Sequence, residues 1–166
     1  MGDSTEKIRI PPRGTRAGGM AWMAKLTKVG KVFMDMQVSR YRKTAGDTAP
    51  VMMGFPVVLL TTLGAKTGLE RTNVLGGFAD GDDSWLIVAS KSGAATHPAW
   101  FVNLAKNPDQ VWLEVGKRKF RAHVESLQGS EREAALARVA KVARRYAEYQ
   151  AKTDREIPVL RLTPAR

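Results

Sequence analysis

Apolar residues along this chain change their spacing several times, and each change marks an element. Between residues 18 and 42, Trp22, Met23, Leu26, Val29, Phe33 and Met36 recur at three- and four-residue steps, with Lys25, Lys28, Lys31 and Arg40 falling between them. That spacing predicts an amphipathic helix lying on the body of the protein. Its basic remainder also suits an anionic membrane surface. Residues 1–16 carry Pro11, Pro12 and Gly14 without periodicity and read as a loose leader. After a connection marked by Gly46, Pro50 and Gly54, the pattern turns β-branched and continuous. Val57 to Thr62 predicts a buried strand, Gly64 to Gly68 a turn, and Arg71 to Ala79 a second strand.

Asp80-Gly81 is a hairpin signal leading to a third strand, Trp85 to Ala89. A loop of small residues, Ser90 to Thr96, then runs into Pro98 at the first turn of a short helix. Trp100, Phe101 and Leu104 form the apolar side of that helix, and Asn107-Pro108 ends it. Val111 to Val115 is a fourth strand, turned by Gly116-Lys117. Lys119 to Glu125 alternates cleanly, with Phe120, Ala122 and Val124 on one face. Ser130 and Glu133 have the spacing of a capping box, which predicts a helix with the stripe Leu136, Val139, Ala140, Ala143 and Tyr146. Ile157 to Leu162 is the last strand. The result is about six strands and three helices, with strands joined as hairpins rather than through helices. It predicts an antiparallel sheet closing into a barrel, with residues 1–43 as leader and helix and 44–166 as the barrel domain.

Length and composition narrow this picture. A chain of 166 residues with 43% hydrophobic side chains is one domain with enough apolar material for a core. It contains no cysteine, which excludes disulfides, thiolate nucleophiles, iron–sulfur clusters and the common structural zinc sites, and fits a cytoplasmic protein. Its net charge of +11 favours polyanionic partners: nucleic acid, an anionic membrane, or a cofactor rich in phosphate and carboxylate. The best support for nucleic acid is Lys117-Arg118-Lys119 with Arg121. No helix-turn-helix, zinc-finger or RNP pattern accompanies it, and a basic run at a hairpin turn is ordinarily a solvated edge.

Several chemistries are ruled out by the residues themselves. Gly64-Ala65-Lys66-Thr67-Gly68 lacks the glycine that a Walker loop places before its lysine, and no G-x-G-x-x-G follows a strand. Only His97 and His123 are available, so a His-rich metal site is impossible, and there is no nucleophile elbow. Two stretches remain. Leu60 to Gly68 enters a glycine-bracketed turn that offers N–H groups, the Thr67 hydroxyl, and the cations Lys66 and Arg71, a set that suits phosphate or carboxylate. Ser90 to Trp100 brings small side chains to a helix N-terminus, where a flat or anionic ligand can reach the backbone. Taken singly, the first reads better as an ordinary hairpin turn whose lysine points into water. The second is equally a helix capped by Thr96 or His97 over a core tryptophan.

Together the two stretches resemble a family. The order T-T-x-G-x-K-[S/T]-G-x-x-R, D-G-D, A-S-x-x-G-x-x-x-[H/N]-P-x-W, N-L and N-P resembles the deazaflavin-dependent nitroreductases of the flavin/deazaflavin oxidoreductases. So does the ending carried by Tyr146 to Gln150, Thr153-Asp154-Arg155 and Ile157-Pro158. The resemblance runs from about Phe55 to Leu162. It implies a split β-barrel of the FMN-binding type and coenzyme F420, whose phosphate and oligoglutamate tail would use a basic groove. By the same resemblance, Lys66, Thr67 and Arg71 hold the phosphate region with Thr72 and Asn73 beside them. Val88, Ala89 and Ser90 line the deazaflavin, and Ala94, Ala95, His97 and Trp100 complete the pocket. Tyr146 and Tyr149 stand over an acceptor such as a quinone, nitroaromatic or activated alkene, and with Ser90 are the candidate proton donors. Three departures stand out: Ala65 in place of a basic residue, Gly76-Gly77 where an aromatic is usual, and Ala143 where a tyrosine is usual. The first predicts one fewer contact to the tail or phosphate, and the other two a wider, less aromatic acceptor pocket. An FMN enzyme on the same barrel and a non-catalytic cofactor carrier are the alternatives. Split barrels of this kind often pair as homodimers.

Overall fold

The computed structural model describes residues 7–16 and 27–166. Trp22, Met23, Lys25 and Leu26 of the first apolar stripe lie outside these. In chain order the elements are α1 (Thr27–Thr44), β1 (Val51–Met52), β2 (Phe55–Leu63), β3 (Glu70–Gly76), β4 (Phe78–Ala79), β5 (Trp85–Val88), α2 (Ala99–Lys106), β6 (Val111–Val115), β7 (Arg118–Ser126), α3 (Gly129–Val142), α4 (Arg145–Lys152) and β8 (Val159–Pro164). The described residues thus form eight strands and four helices, against about six and three expected.

All eight strands pair antiparallel in one curled sheet, in the order β1-β2-β6-β7-β8-β5-β4, with β3 on the other side of β2. This is the antiparallel α+β half-barrel that the hairpin pattern predicts. Both faces of β2 are covered, which is why its sequence reads as a continuous apolar run rather than an alternation. Phe55, Val57 and Leu59 join a core with Tyr41, Phe78, Leu86, Val88, Val139 and Tyr146. Val58 and Leu60 join a second core with Ile87, Phe101, Leu104, Leu113, Val124 and Leu160. By contrast β7 keeps one wet face: Ala122 and Val124 are buried, while Lys119, Arg121, His123 and Glu125 are exposed.

The strand expected from Arg71 to Ala79 is two strands with different partners. β3 pairs with β2, whereas β4 pairs with β5. Gly77 makes the switch possible, because a Cβ there would lie 2.4 Å from a methyl of the buried Val58. The backbone can therefore fold directly over β2. The Asp80-Gly81 hairpin forms as expected, with Asp80 N–H donating to Ser84 O at 2.9 Å.

Other departures concern helix ends and faces. α3 begins at Gly129 behind Gln128, so Ser130 lies inside the helix and caps nothing. The final helix breaks at Ala143, which leaves helical geometry (φ −139°, ψ 87°), and Tyr146 starts a new axis in α4. α2 is preceded by Pro98 in extended geometry, with neither Thr96 nor His97 capping it. α1 rests on the body through Met34, Val38 and Tyr41, followed by Ala45 just past its end. Val29, Phe33 and Met36, expected to face inward, are 66%, 53% and 58% exposed. The reason is in the anchors. The Tyr41 hydroxyl donates to Glu114 O and accepts from Gly116 N–H, and Arg42 makes a bidentate pair with Glu114. These bonds set the helix rotation.

The leader is not loose over residues 7–16. Ile8, Pro11 and Gly14 are buried. Gly14 N–H donates to Ala95 O at 2.8 Å, and the Asp154 carboxylate accepts from the N–H groups of Thr15 and Arg16 and from the Thr15 hydroxyl. These bonds hold the Asp154 carboxyl down to about 2, well into the charged range. The strap lacks periodicity because it is held by single hydrogen bonds to loops rather than by one repeating face.

Candidate active site

Two adjoining cavities open between α1, β3, the loop after β5, and α4. The first, of about 330 Å³, is lined by Met34, Phe55, Val57, Val74, Gly76, Val88, Ser90, Lys91, Ser92, Trp100, Arg145, Tyr146 and Tyr149, among others. The second, of about 1010 Å³, is lined by Lys31, Asp35, Glu70, Arg71, Thr72, Asn73, Lys91, Ala99 and Asn103, among others. Met34, Lys91 and Trp100 line both, so one continuous cleft runs from an aromatic end to a charged end. Met34 is fixed at this junction by accepting a hydrogen bond from Val74 N–H on the free edge of β3 (3.4 Å).

Aromatic side chains build the first cavity. Tyr146 packs edge-on against Phe55, Phe78 and Tyr149, with ring centroids 5.8, 5.5 and 5.6 Å away. Its hydroxyl takes the space above Gly76, where a Cβ would lie 2.4 Å from the phenolic oxygen. The missing aromatic at Gly76 is therefore not simply an enlargement of the pocket. It is the room in which Tyr146 sits. Burial first, and the neighbouring Tyr149 second, push the Tyr146 phenol up to about 12, against a smaller opposing effect of Arg145. Such a phenol stays protonated and serves as a hydrogen-bond donor. Arg145 lines the same cavity, lying over the Phe55 ring (5.1 Å) and donating to Met53 O (3.2 Å).

The charged cavity carries three cations, Lys31, Arg71 and Lys91, and two carboxylates, Asp35 and Glu70. A polyanion there must be met by individual cations, because no uniform positive field exists. Opposite β3, the register pairs Thr61 with Thr72 and Thr62 with Arg71, and the Thr61 and Thr72 hydroxyls are bonded at 2.8 Å.

The residues expected at the site separate into three groups. Arg71, Thr72 and Asn73 line the charged cavity; Val88, Ser90, Tyr146 and Tyr149 line the aromatic one; Trp100 lines both. Lys66 and Thr67 are exposed on the Gly64–Gly68 turn and line neither cavity. That turn largely satisfies itself: Gly68 N–H donates to Gly64 O, Gly64 N–H to Leu69 O, and Leu69 N–H to the Thr67 hydroxyl. Ala65 N–H donates to Asn103 Oδ1 at 2.9 Å, tying the turn to α2.

Ala89, Ala94, Ala95 and His97 also line neither cavity. His97 lies between Pro11 O (Nε2, 2.7 Å) and the Arg155 guanidinium (Nδ1, 3.0 Å). The guanidinium can only donate, so Nδ1 accepts and Nε2–H donates to Pro11. Burial is the main cause of a lowered His97 pKa, with the Pro11 bond opposing and the positive charges of Arg155 and Lys91 adding to it. Lys91, Met34, Arg145 and Arg155 were not singled out as site residues from the sequence. Two of them had a signal: Lys91 lies in the Ser90–Trp100 stretch and Arg155 in Thr153-Asp154-Arg155.

The family model for F420H(2)-dependent quinone reductase matches residues 33–164. This chain belongs to that family. It is 39% identical over 141 residues to the F420H(2)-dependent quinone reductase Rv1261c of Mycobacterium tuberculosis, covering 81% of this chain and 92% of that protein. The F420H(2)-dependent quinone reductase MT1299 of a second M. tuberculosis strain, CDC 1551, matches to the same extent. Among solved structures, an F420-H2 dependent reductase (FDR-A) superposes with a TM-score of 0.59 at 36% identity, over 69% of this chain and 99% of that one. Another, described as a domain-swapped dimer, gives a TM-score of 0.61 at 31% identity, over 81% and 98%. The chain is thus an F420-dependent oxidoreductase of the split-barrel type, and the FMN and carrier alternatives give way to this assignment.

Proposed function

We propose that the chain passes a hydride equivalent from reduced F420 to a quinone-type acceptor, with the cofactor's ring system in the aromatic cavity and its anionic tail along the charged one. The continuity of the two cavities through Met34, Lys91 and Trp100 carries this reading, because one end is flat and apolar and the other presents Arg71, Lys31 and Asn73. Reduced deazaflavin supplies the hydride chemistry when bound. The protein's own contribution is placement. Val88, Ser90 and Trp100 wall the ring site, Tyr149 and Tyr146 cover the acceptor side, and Arg145 lies over Phe55 beside them. Among the described residues the Tyr146 hydroxyl has no hydrogen-bond partner, and the phenol is kept neutral, so it can donate to an acceptor carbonyl oxygen. Lys66 and Thr67 would act on the far end of the tail. Ala89, Ala94, Ala95 and His97 act from behind the loop that carries Ser90.

The test is titration of the protein with F420 and, in parallel, FMN, followed through quenching of Trp100 emission. Saturable F420 binding well above FMN, followed by faster turnover with quinones than with nitroaromatics or enones, supports the reading. Tight FMN binding with none for F420 sinks it.

A second reading concerns α1. Its outward face exposes Val29, Val32 and Met36 beside Lys28 and Lys31, while Phe33 lines the aromatic cavity; the outward composition suits an anionic bilayer holding a lipid-soluble quinone. Among the described residues no helix is long and apolar enough to cross a membrane, so the contact would be peripheral. Co-sedimentation with anionic vesicles should weaken for Val32→Ser with Met36→Ser. Equal sedimentation of variant and wild type would rule it out. A homodimer, in keeping with the domain-swapped relative, is readable from sedimentation velocity.

A further inference from the structure

Lys91, Ser92 and Gly93 form one short 3-10 turn, and all three have positive φ: 44°, 53° and 78°. Two of the three carry a Cβ, so this backbone is strained and needs support from elsewhere. The turn forms part of the cleft wall: Ser90, Lys91 and Ser92 all line the aromatic cavity. It also abuts the opposite wall, since a Cβ on Gly93 would lie 2.8 Å from Tyr149 O.

The support comes from Arg155, which is 1% exposed and lines neither cavity. Its guanidinium donates to the carbonyls on both sides of the turn: Nη1 to Ala89 O (3.1 Å), Nη2 to Ser90 O (2.9 Å) and Nε to Ala94 O (2.9 Å). The remaining contact is the His97 Nδ1 bond. All four acceptors are neutral, and no carboxylate pairs with Arg155 among the described residues. Burying a charge without a counterion is costly. A structural filler would not need it, whereas a planar fork reaching both ends of a strained turn does.

We propose that Arg155 is a positioning residue for hydride transfer: it holds the left-handed turn Lys91–Gly93 in the shape that presents Ser90, Lys91 and Ser92 to the cofactor's ring system. This rests on the placement of the ring in the aromatic cavity. Lysine cannot replace it, because one ammonium group cannot span Ala89 O, Ser90 O and Ala94 O together.

The experiment compares wild type, Ser92→Gly, Arg155→Lys, Arg155→Gly and Arg155→Lys combined with Ser92→Gly. Hydrogen exchange on the cofactor-free proteins should show the Gly93 and Ala94 amides exchanging faster in Arg155→Lys, while the β2 and β6 amides stay protected. F420 affinity in Arg155→Lys should fall about tenfold or more, the scale expected when a wall shifts by a fraction of an ångström. Low-millimolar guanidinium should restore it in Arg155→Gly. Adding Ser92→Gly should recover part of the loss in Arg155→Lys, because glycine adopts positive φ without help. If Arg155→Gly does not fold, the Lys variant and the double variant still decide. Unchanged Gly93 and Ala94 exchange, or an F420 affinity in Arg155→Lys equal to wild type, overturns the proposal. So does a Ser92→Gly effect that is the same with and without Arg155. Failure of wild type itself to bind F420 would instead overturn the site assignment, and the exchange result distinguishes the two.

Discussion

Two glycine-containing turns flank the cleft, and both invite the reading of an anion cradle. Gly64–Gly68 is closed by its own backbone, and its only left-handed residue is a glycine, Gly68 (φ 67°). Lys91–Gly93 contains two left-handed residues that are not glycine and is held by a guanidinium more than sixty positions away in sequence. The first turn is a local solution to joining two strands. The second is a tertiary one, packed against Tyr149 and Lys152 of α4 and bonded by Arg155 just beyond it. A cleft wall built in the second way can be shaped by remote residues, which is useful where a ring must lie within about 3–3.5 Å of its acceptor.

Substitutions can test that contrast directly. Gly93→Ala should have the largest effect: its Cβ meets Tyr149 O at 2.8 Å and Lys152 Cβ at 3.2 Å, at φ 78°. We expect about 2–4 kcal/mol of destabilisation in urea unfolding, together with loss of F420 binding. A change below about 1 kcal/mol would mean that the turn and α4 are not tightly apposed.

Next comes Gly76→Ala, which displaces the Tyr146 hydroxyl by removing its space. Turnover with a quinone should fall about tenfold through kcat, with F420 affinity little changed. The phenol's titration, followed by absorbance, should drop from about 12 towards the ordinary tyrosine value. A loss of F420 binding instead would place the ring, rather than the acceptor, beside Tyr146.

Gly68→Ala should cost about 1 kcal/mol, since nothing lies within 4 Å of the added carbon and only the φ of 67° opposes it. F420 affinity should hardly move. The gap between this result and Gly93→Ala is the measure of local against tertiary support.

The smallest effect is on pH dependence. His97 has a lowered pKa in the fold and must stay neutral to accept from Arg155. The unfolded chain therefore binds the proton more readily, and the stability from this group is present above the ordinary histidine pKa of about 6.5. It is lost as pH falls below that value and through the folded one. Wild-type melting temperature should decline across this range more steeply than that of His97→Gln. Parallel curves would show that the bond from Arg155 to His97 Nδ1 adds nothing to stability.

Much of this architecture was legible from residue order. The β-branched run of β2, the alternation of β7 and the Asp80-Gly81 hairpin are short-range patterns, and they predicted an antiparallel barrel. The family motifs located Arg71, Thr72, Asn73, Ser90, Trp100, Tyr146 and Tyr149 along the cleft. Three features were hidden. The outward turn of Val29, Phe33 and Met36 was concealed because several helical stripes compete in α1, and the Tyr41 and Glu114 bonds choose between them. The split at Gly77 was hidden because the glycine's reason is a methyl of Val58, nineteen positions earlier. The packing of the leader was invisible because it depends on Asp154 and Ala95, which have no periodic relation to it.

Residue order thus specified the longer strands, the class of fold and the cofactor chemistry, since each is written in spacing over a few residues or in motifs that keep their order. Only the tertiary structure decided which of those residues face the cleft. It placed Tyr146 in the vacancy of Gly76, turned His97 away, and brought Arg155 to the strained turn behind Ser90. These outcomes depend on which distant side chain fills a given volume or reaches a given carbonyl, and close packing settles that only once the whole chain is folded.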